Sequence, residues 1–236
     1  RKEKRAFTRK ENKITKPLPH TTERYRMALE LAGFQFDLQH GPWLFPNETA
    51  VRNLQVWLDK QSIVKQQPWI GIAPFALHKS KIWPLANYPS LIKELGKATG
   101  ARFFLFGGGD KEISYFHDLK TLFHDQVVVV AGQLKMQQEI ALMKKLDVMI
   151  CTDSSNMHLA ALAGTPVVSI WGGTNPDVGF APLGQEEAGV LQINRNELPC
   201  RPCSVYGKET CHRGDFACLT RIAVEEVIRK VLERLK

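Results

Sequence analysis

From residue 69 onward, short apolar runs alternate with longer amphipathic stretches. The runs predict strands at Trp69–Ala73, Arg102–Phe106, Val127–Ala131, Val148–Cys151, Val167–Trp171 and Val190–Ile193. The stretches predict helices at Tyr88–Thr99, Lys111–Phe123, Lys135–Leu146, Asn156–Ala163 and Val224–Leu235. The runs are apolar at every position, which is typical of strands that helices cover on both faces. The pattern therefore predicts an α/β fold with a Rossmann-like, doubly wound and mostly parallel sheet.

The chain before this alternation divides into two segments. Residues 1–20 are interpreted as a basic tail or linker. Residues 21–66 are interpreted as a helical linker, with one helix over Thr21–Leu31 and another from Asn47 to about Val64. The Rossmann-like domain then occupies residues 67–236.

Composition and charge refine this picture. The chain has 236 residues, of which 44% are hydrophobic and 24% charged, as in ordinary globular proteins. No apolar run approaches the roughly 20 residues that a membrane-spanning helix needs, and no signal-peptide pattern opens the sequence. The net charge is +8, and the first sixteen residues carry +6 of it.

This concentrated charge allows two interpretations of the first segment. It is either a solvated tail or a contact for an acidic partner, such as an anionic membrane face. Nucleic acid is poorly supported as that partner, because Phe7 is the only aromatic residue among the basic ones and no reader motif is present.

The fourth predicted strand ends in a polar elbow, Thr152-Asp153-Ser154-Ser155-Asn156, before a helix of small residues begins. Unpaired backbone N–H groups and the positive end of the helix dipole meet at such a place, which therefore binds anions, above all phosphates. Asp153, Ser154 and Ser155 add a carboxylate and two hydroxyls. The alternative is a helix cap that binds no ligand.

Other loops at the carboxyl ends of predicted strands carry candidate chemistry, each with a simpler alternative. Lys81 could neutralise a diphosphate, or it is an ordinary surface lysine. The loop of three glycines before Asp110 could allow a ligand to approach the backbone closely. The alternative is a tight turn between strand and helix in which Asp110 only caps the helix. Leu134 offers an apolar floor for a base, or a helix staple. His158 is predicted to be a packed core residue rather than a catalyst.

Together these loops resemble the ADP-heptose:lipopolysaccharide heptosyltransferases, glycosyltransferase family 9 of the GT-B type. The matching stretches are Ile72-Ala73-Pro74, Lys81-Ile82-Trp83-Pro84, Phe106-Gly107-Gly108, Thr152-Asp153-Ser154-Ser155, His158-Leu159-Ala160-Ala161, Gly173-Thr174-Asn175-Pro176, and Cys200-Arg201-Pro202-Cys203 with Cys211 and Cys218-Leu219. The resemblance covers about residues 20–236 and implies the C-terminal, donor-binding half of a GT-B glycosyltransferase.

The resemblance also implies the roles of site residues. It assigns catalytic roles to Lys81 and Asp153, and donor binding to Asp110, Glu112, Leu134, Ser154, Ser155, Gly173 and Thr174. In detail, Lys81 contacts the donor diphosphate and Asp153 lies near the donor sugar. An acid at position 110 or 112 holds the ribose, and an apolar residue at 134 packs on adenine. Ser155 stands where the family often has glycine.

The implied function is transfer of heptose from ADP-heptose to a lipopolysaccharide core acceptor, with no cofactor or metal required. The family's catalytic carboxylate lies in an N-terminal acceptor domain that has no counterpart here, so the chain is expected to bind donor without transferring sugar. The implied location is the cytoplasm, with the basic first segment in peripheral contact with the anionic inner membrane face. The alternatives are another nucleotide sugar as donor, or a noncatalytic nucleotide-binding module.

Four cysteines near the carboxyl end allow a further interpretation. Cys200, Cys203, Cys211 and Cys218 have the number and types of ligand that a tetrahedral zinc site uses, and His212 is a spare. Packed thiols are the alternative, and disulfides are not expected in a cytosolic protein. With the basic first segment, a zinc site would favour a third function, nucleic-acid binding.

Overall fold

The computed structural model describes residues 2–9, 11–14, 16–185 and 187–235. Its six strands are β1 (Trp69–Ala73), β2 (Arg102–Leu105), β3 (Val127–Val129), β4 (Val148–Thr152), β5 (Val167–Trp171) and β6 (Val190–Gln192). They form one sheet in the order β3-β2-β1-β4-β5-β6, and every neighbouring pair is parallel. The predicted parallel α/β sheet is therefore confirmed.

Nine α-helices are found in the described part of the chain. They are α1 (Lys2–Ala6), α2 (Thr21–Leu31), α3 (Glu48–Lys60), α4 (Tyr88–Thr99), α5 (Asp110–Phe123), α6 (Met136–Met143), α7 (Ser155–Ala163), α8 (Ala217–Thr220) and α9 (Val224–Arg234). The prediction missed the short helices α1 and α8. It also extended α6 to residue 146, where the chain instead turns tightly: the amide of Leu146 bonds to the carbonyl of Met143.

Two apolar layers cover the sheet and explain the uniformly apolar strands. One layer holds the side chains of Ile70 and Ile72 together with buried residues of α4, α5 and α9. The other holds Trp69 and Ala73, the alternate positions of the same strand, together with buried residues of α3, α6 and α7. Because both faces of the strand are buried, every position of β1 is apolar or glycine.

The first segment packs on the body of the protein, unlike a solvated tail. Phe7 is fully buried, and the Arg195 guanidinium lies 5.6 Å from the centre of its ring. The ammonium of Lys13 donates to the carbonyls of Pro199, at 2.7 Å, and Arg201, at 3.0 Å. An aromatic ring and a long basic side chain therefore anchor this segment, and the solvated-tail interpretation is wrong for these residues.

The predicted helical linker contains two different helices. No residue of α2 is buried, and large apolar side chains at Tyr25 and Leu31 are exposed. By contrast, α3 buries Leu54 and Leu58 in the second apolar layer. Within the described residues, none of the helices is both long and apolar enough to cross a bilayer. The division into three domains stays a prediction.

Candidate functional site

A cavity of about 770 Å³ lies along the carboxyl edge of the sheet. Its walls come from the loops after β1, β2 and β4, the first turns of α6 and α7, and the segment around residues 205–206. The lining residues are Phe75, Ala76, Leu77, Lys81, Gly107, Gly108, Glu112, Met136, Glu139, Asp153, Ser154, Ser155, Asn156, His158, Leu159, Phe180, Val205 and Tyr206. This is where ligands of open α/β sheets bind.

An ion pair stands at the centre of this edge. The ammonium of Lys81 lies 3.0 Å from Oδ2 of Asp153, and their side chains are only 15% and 9% exposed. The hydroxyl of Thr174 donates to the same carboxylate oxygen over 2.8 Å. Since β1 pairs directly with β4, the loops after these two strands bring the lysine and the aspartate together. Because water is largely excluded, the attraction between the two charges is strong. It holds both side chains in fixed positions on the cavity wall.

Buried neighbours hold the loop that carries Lys81. Trp83 is fully buried, and its indole N–H donates to the carbonyl of Ile222 over 3.1 Å. Ser80 is also buried; its amide donates to the carbonyl of Lys208, and its own carbonyl accepts from the amide of Gly173. The loop is therefore anchored on both sides of Lys81 by the C-terminal segment and the loop after β5.

The amino end of α7 has unpaired donors that face the cavity. Ser154 precedes the helix in an extended conformation, with φ −145° and ψ 174°, and its side chain does not cap the helix. Its Oγ is buried yet has no hydrogen-bond partner among the described residues. Ser155 begins the helix and lies on the cavity wall. The free N–H groups and this hydroxyl together form a site for an anion.

The glycine loop after β2 brings one of its two acids into the cavity. Oε2 of Glu112 accepts a hydrogen bond from the amide of Gly108 over 2.9 Å, and both residues line the wall. A Cβ at Gly107 would lie 2.4 Å from that same oxygen, so a larger residue here would displace the Glu112 carboxylate. Asp110 is exposed at the start of α5 and is not one of the lining residues. Of the two acids assigned to a ribose, Glu112 is the better placed.

Three other predicted positions lie outside the cavity wall within the described residues. Leu134 is half-buried and packs against the second apolar layer, while Met136, two residues later, lines the wall. Gly173 uses its amide to hold Ser80. Thr174 reaches the site only through its bond to Asp153. Direct ligand contacts by Leu134, Gly173 and Thr174 stay predictions.

Two titratable side chains on the wall have shifted pKa values. Burial raises the pKa of Glu139 to about 7. Burial also lowers the pKa of His158, although the nearby Asp153 carboxylate opposes this. Sequence reasoning missed Glu139 and treated His158 as a core residue. The only signal for Glu139 in the sequence is a single acid directly before four apolar residues, 140–143, which the structure buries.

Arg201 is a buried cation that no sequence signal had assigned to the site. It is 1% exposed, and its guanidinium donates to the carbonyls of Gly172, Trp171, Thr174 and Ile193 and to Oε1 of Gln192. Burial lowers the pKa of Arg201 to about 10. These bonds tie the ends of β5 and β6 to the C-terminal segment, and so they fix the backbone that carries Thr174.

The five cysteines are all free thiols. Cys151 is fully buried in the sheet, as expected, and burial raises its pKa well above the usual range. Within the part of the chain that the structure describes, no three His, Cys, Asp or Glu side chains are arranged to hold a metal ion. The zinc interpretation of the four C-terminal cysteines gains no support from this arrangement.

We expect Thr174→Val to reduce the free energy of unfolding by about 1.5–3 kcal/mol, because a hydrogen bond to a buried charged carboxylate is lost. Urea unfolding followed by tryptophan fluorescence measures this change. Thr174→Ser keeps the hydroxyl and should retain most of the stability. A stable valine variant together with a destabilised serine variant would show that the methyl group, and not the bond to Asp153, stabilises the fold.

Comparisons with known proteins agree with this geometry. The sequence profile of Glycosyltransferase family 9 (heptosyltransferase) matches residues 1–209. Lipopolysaccharide heptosyltransferase 2 of Salmonella typhimurium is 29% identical over 136 residues, which are 56% of this chain and 38% of that protein. The matched stretch of the chain thus spans well under half the length of that relative.

Two solved structures share the fold. The E. coli ADP-heptose LPS heptosyltransferase II superposes with a TM-score of 0.68 at 23% identity, covering 92% of this chain and 62% of that one. The E. coli heptosyltransferase WaaC with ADP-2-deoxy-2-fluoro heptose gives a TM-score of 0.60 at 17% identity, covering 91% and 56%. With the match of the family profile to most of its length, this chain belongs to glycosyltransferase family 9, the heptosyltransferase family.

Proposed function

We propose that this chain is the donor-binding half of a glycosyltransferase that transfers heptose from ADP-heptose to a lipopolysaccharide core acceptor. The observation that carries the proposal is the shielded pair of Lys81 and Asp153 beside the free amino end of α7. A site with a cation, unpaired N–H groups and a free hydroxyl suits a diphosphate. The WaaC neighbour, whose structure holds an ADP-heptose analogue, supports the choice of donor.

In this proposal the chain stabilises the departing diphosphate. As the bond between the sugar and the β-phosphate breaks, negative charge grows on the phosphate oxygens. Lys81 and the first amides of α7 are positioned to receive that charge, and preorganised donors of this kind are each worth about 3–4 kcal/mol of barrier. Asp153 keeps the ammonium in place and, in this proposal, lies near the sugar of the bound donor.

The acceptor hydroxyl needs a general base, which we place outside this chain, in the part of the relatives that it does not span. The proposed site requires no metal or cofactor. Exposed basic residues of the first segment, Lys2, Arg5, Arg9 and Lys16, support peripheral contact with an anionic membrane face from the cytoplasm. Nucleic acid is not a partner in this proposal.

We expect the chain to bind ADP and ADP-heptose but to give no transfer to a lipopolysaccharide acceptor by itself. Isothermal titration calorimetry measures the binding, and release of ADP in the presence of acceptor measures the transfer. Absence of ADP binding would contradict the donor site. Binding of UDP as tight as that of ADP would favour another nucleotide sugar, and acceptor-dependent release of ADP would contradict the placement of the base.

A further inference from the structure

One acid in the cavity wall has a side chain without a partner among the described residues. Glu139 lies in the first turn of α6, half-buried, with its side chain on the cavity wall. Its carboxyl makes no hydrogen bond or ion pair with any of the described residues. The capping bond at this helix belongs to Gln138, whose Oε1 accepts from the amide of Lys135 over 2.8 Å. The carboxyl of Glu139 is therefore left without a partner on the protein.

The surroundings of Glu139 make a partner from a ligand favourable. Burial is the sole cause of its raised pKa, about 7, so no neighbouring charge repels or attracts it appreciably. The charged and titratable groups that share the cavity with it are Glu112 on α5, His158 on α7, Asp153 after β4, Lys81 after β1 and Tyr206 in the C-terminal segment. A half-buried carboxylate without donors is costly, and a ligand that supplies an N–H donor removes that cost.

The order of the sheet indicates which end of the ligand reaches Glu139. The phosphate-binding groups follow β1 and β4, whereas the glycine loop follows β2 and α6 follows β3. Neighbouring strands lie about 4.8 Å apart, so the cavity extends from the phosphate end toward a nucleoside end at the β2 and β3 side. Glu112 at the glycine loop suits a ribose, and Met136, 65% exposed, offers an apolar surface to a base beside Glu139.

We propose that Glu139 reads the nucleobase, with its carboxylate accepting a hydrogen bond from an exocyclic amino group. The site then selects a base that presents an amino group, such as adenine, over one that presents a carbonyl oxygen there, because two acceptors would face each other. This inference rests on the proposed function, in which the nucleotide is ADP.

The test compares ADP with inosine diphosphate, which has a carbonyl where adenine has its amino group. Calorimetry on the wild-type chain should give at least about tenfold tighter binding of ADP, the value of one hydrogen bond to a charged group. In Glu139→Gln the preference should fall to within about twofold, because an amide can turn either its oxygen or its NH₂ toward the base. Glu225→Gln, an exposed change on α9, is the matched control and should keep the wild-type preference.

A pH series gives a second, independent readout. Because the carboxylate is the form that accepts, the affinity of the wild-type chain for ADP should rise about tenfold more between pH 6 and pH 8 than that of Glu139→Gln. The phosphates of ADP and the side chain of His158 titrate in both proteins, so the difference isolates Glu139. Thermal melting of each variant shows that it is folded.

The outcomes separate the two proposals. Failure of the wild-type chain to bind either nucleotide would overturn the proposed function. Equal binding of ADP and inosine diphosphate by the wild type would overturn only the reading of the base. Equal weakening of both nucleotides in Glu139→Gln, or parallel pH profiles of the two proteins, would also overturn it and assign Glu139 to the ribose or to packing.

Discussion

Lys81→Ala is expected to weaken ADP binding about a hundredfold. The ammonium is shielded from water, where its attraction for a diphosphate is strong, and loss of a hydrogen bond to a charged group costs up to about 3 kcal/mol, or about a hundredfold in affinity. The variant also leaves Asp153 as a shielded carboxylate without its cation, facing the phosphates of the ligand. Isothermal titration calorimetry with ADP on the folded chain measures the loss.

Two further variants identify the source of this loss. Lys79→Ala removes an exposed lysine of the same loop that is absent from the cavity wall, so ADP affinity should stay near that of the wild type. Adding Asp153→Asn to Lys81→Ala should recover part of the affinity, because the repelling carboxylate is gone. Unchanged ADP affinity in Lys81→Ala would show that this residue is not part of the site. If the double variant recovered no affinity, repulsion between Asp153 and the phosphates would not contribute to the loss.

The sequence was a good guide wherever the chemistry is local. The polar elbow between β4 and α7 could be predicted because a buried strand, polar residues and a helix of small residues follow one another directly. The same is true of the glycine loop after β2, where the Glu112 carboxylate approaches the backbone of Gly107 and Gly108 closely. In both places the residues that form the site are neighbours in the chain.

The sequence was a poor guide where the site depends on packing between distant segments. Lys81 and Asp153 meet only because β1 lies beside β4, which follows from the strand order and not from spacing. The solvated-tail interpretation failed because Phe7 finds a buried place beside Arg195, a contact that composition does not indicate. Leu134 was predicted to be a wall residue, whereas Met136 lines the wall, because the exact start of α6 decides which side chain points into the cavity.

The C-terminal segment connects these distant pieces, and some of its residues act on the site without lining it. The amides of Cys203 and Ser204 donate to the carbonyl of Gly173, at 3.0 and 3.1 Å, and the amide of Lys208 donates to the hydroxyl of Ser80 over 2.7 Å. The segment thus holds the loop of Lys81 and the loop of Thr174 together. The geometry of the pair formed by Lys81 and Asp153 therefore depends on residues more than forty positions after Asp153.

Arg201→Met is expected to lower the free energy of unfolding by about 3–5 kcal/mol. Methionine fills much of the same space, but it leaves the buried acceptors at the ends of β5 and β6 without donors, and each orphaned acceptor costs about 1–3 kcal/mol. Part of this loss in the free energy of unfolding is offset because the variant no longer buries a charge, and burial opposes the charged form of Arg201. Urea unfolding followed by tryptophan fluorescence measures the net effect.

Two variants separate the acceptor bonds of Arg201 from its charge. Arg221→Met removes a half-exposed guanidinium that lies 3.8 Å from Glu197, and it should cost no more than about 0.5–1 kcal/mol. Arg201→Lys keeps the positive charge but has fewer donors in a different geometry, so its stability should fall between those of the wild type and Arg201→Met. If Arg201→Met were as stable as Arg221→Met, the carbonyls around Arg201 would have to find other donors, and the anchoring of the Thr174 loop by this residue would be wrong.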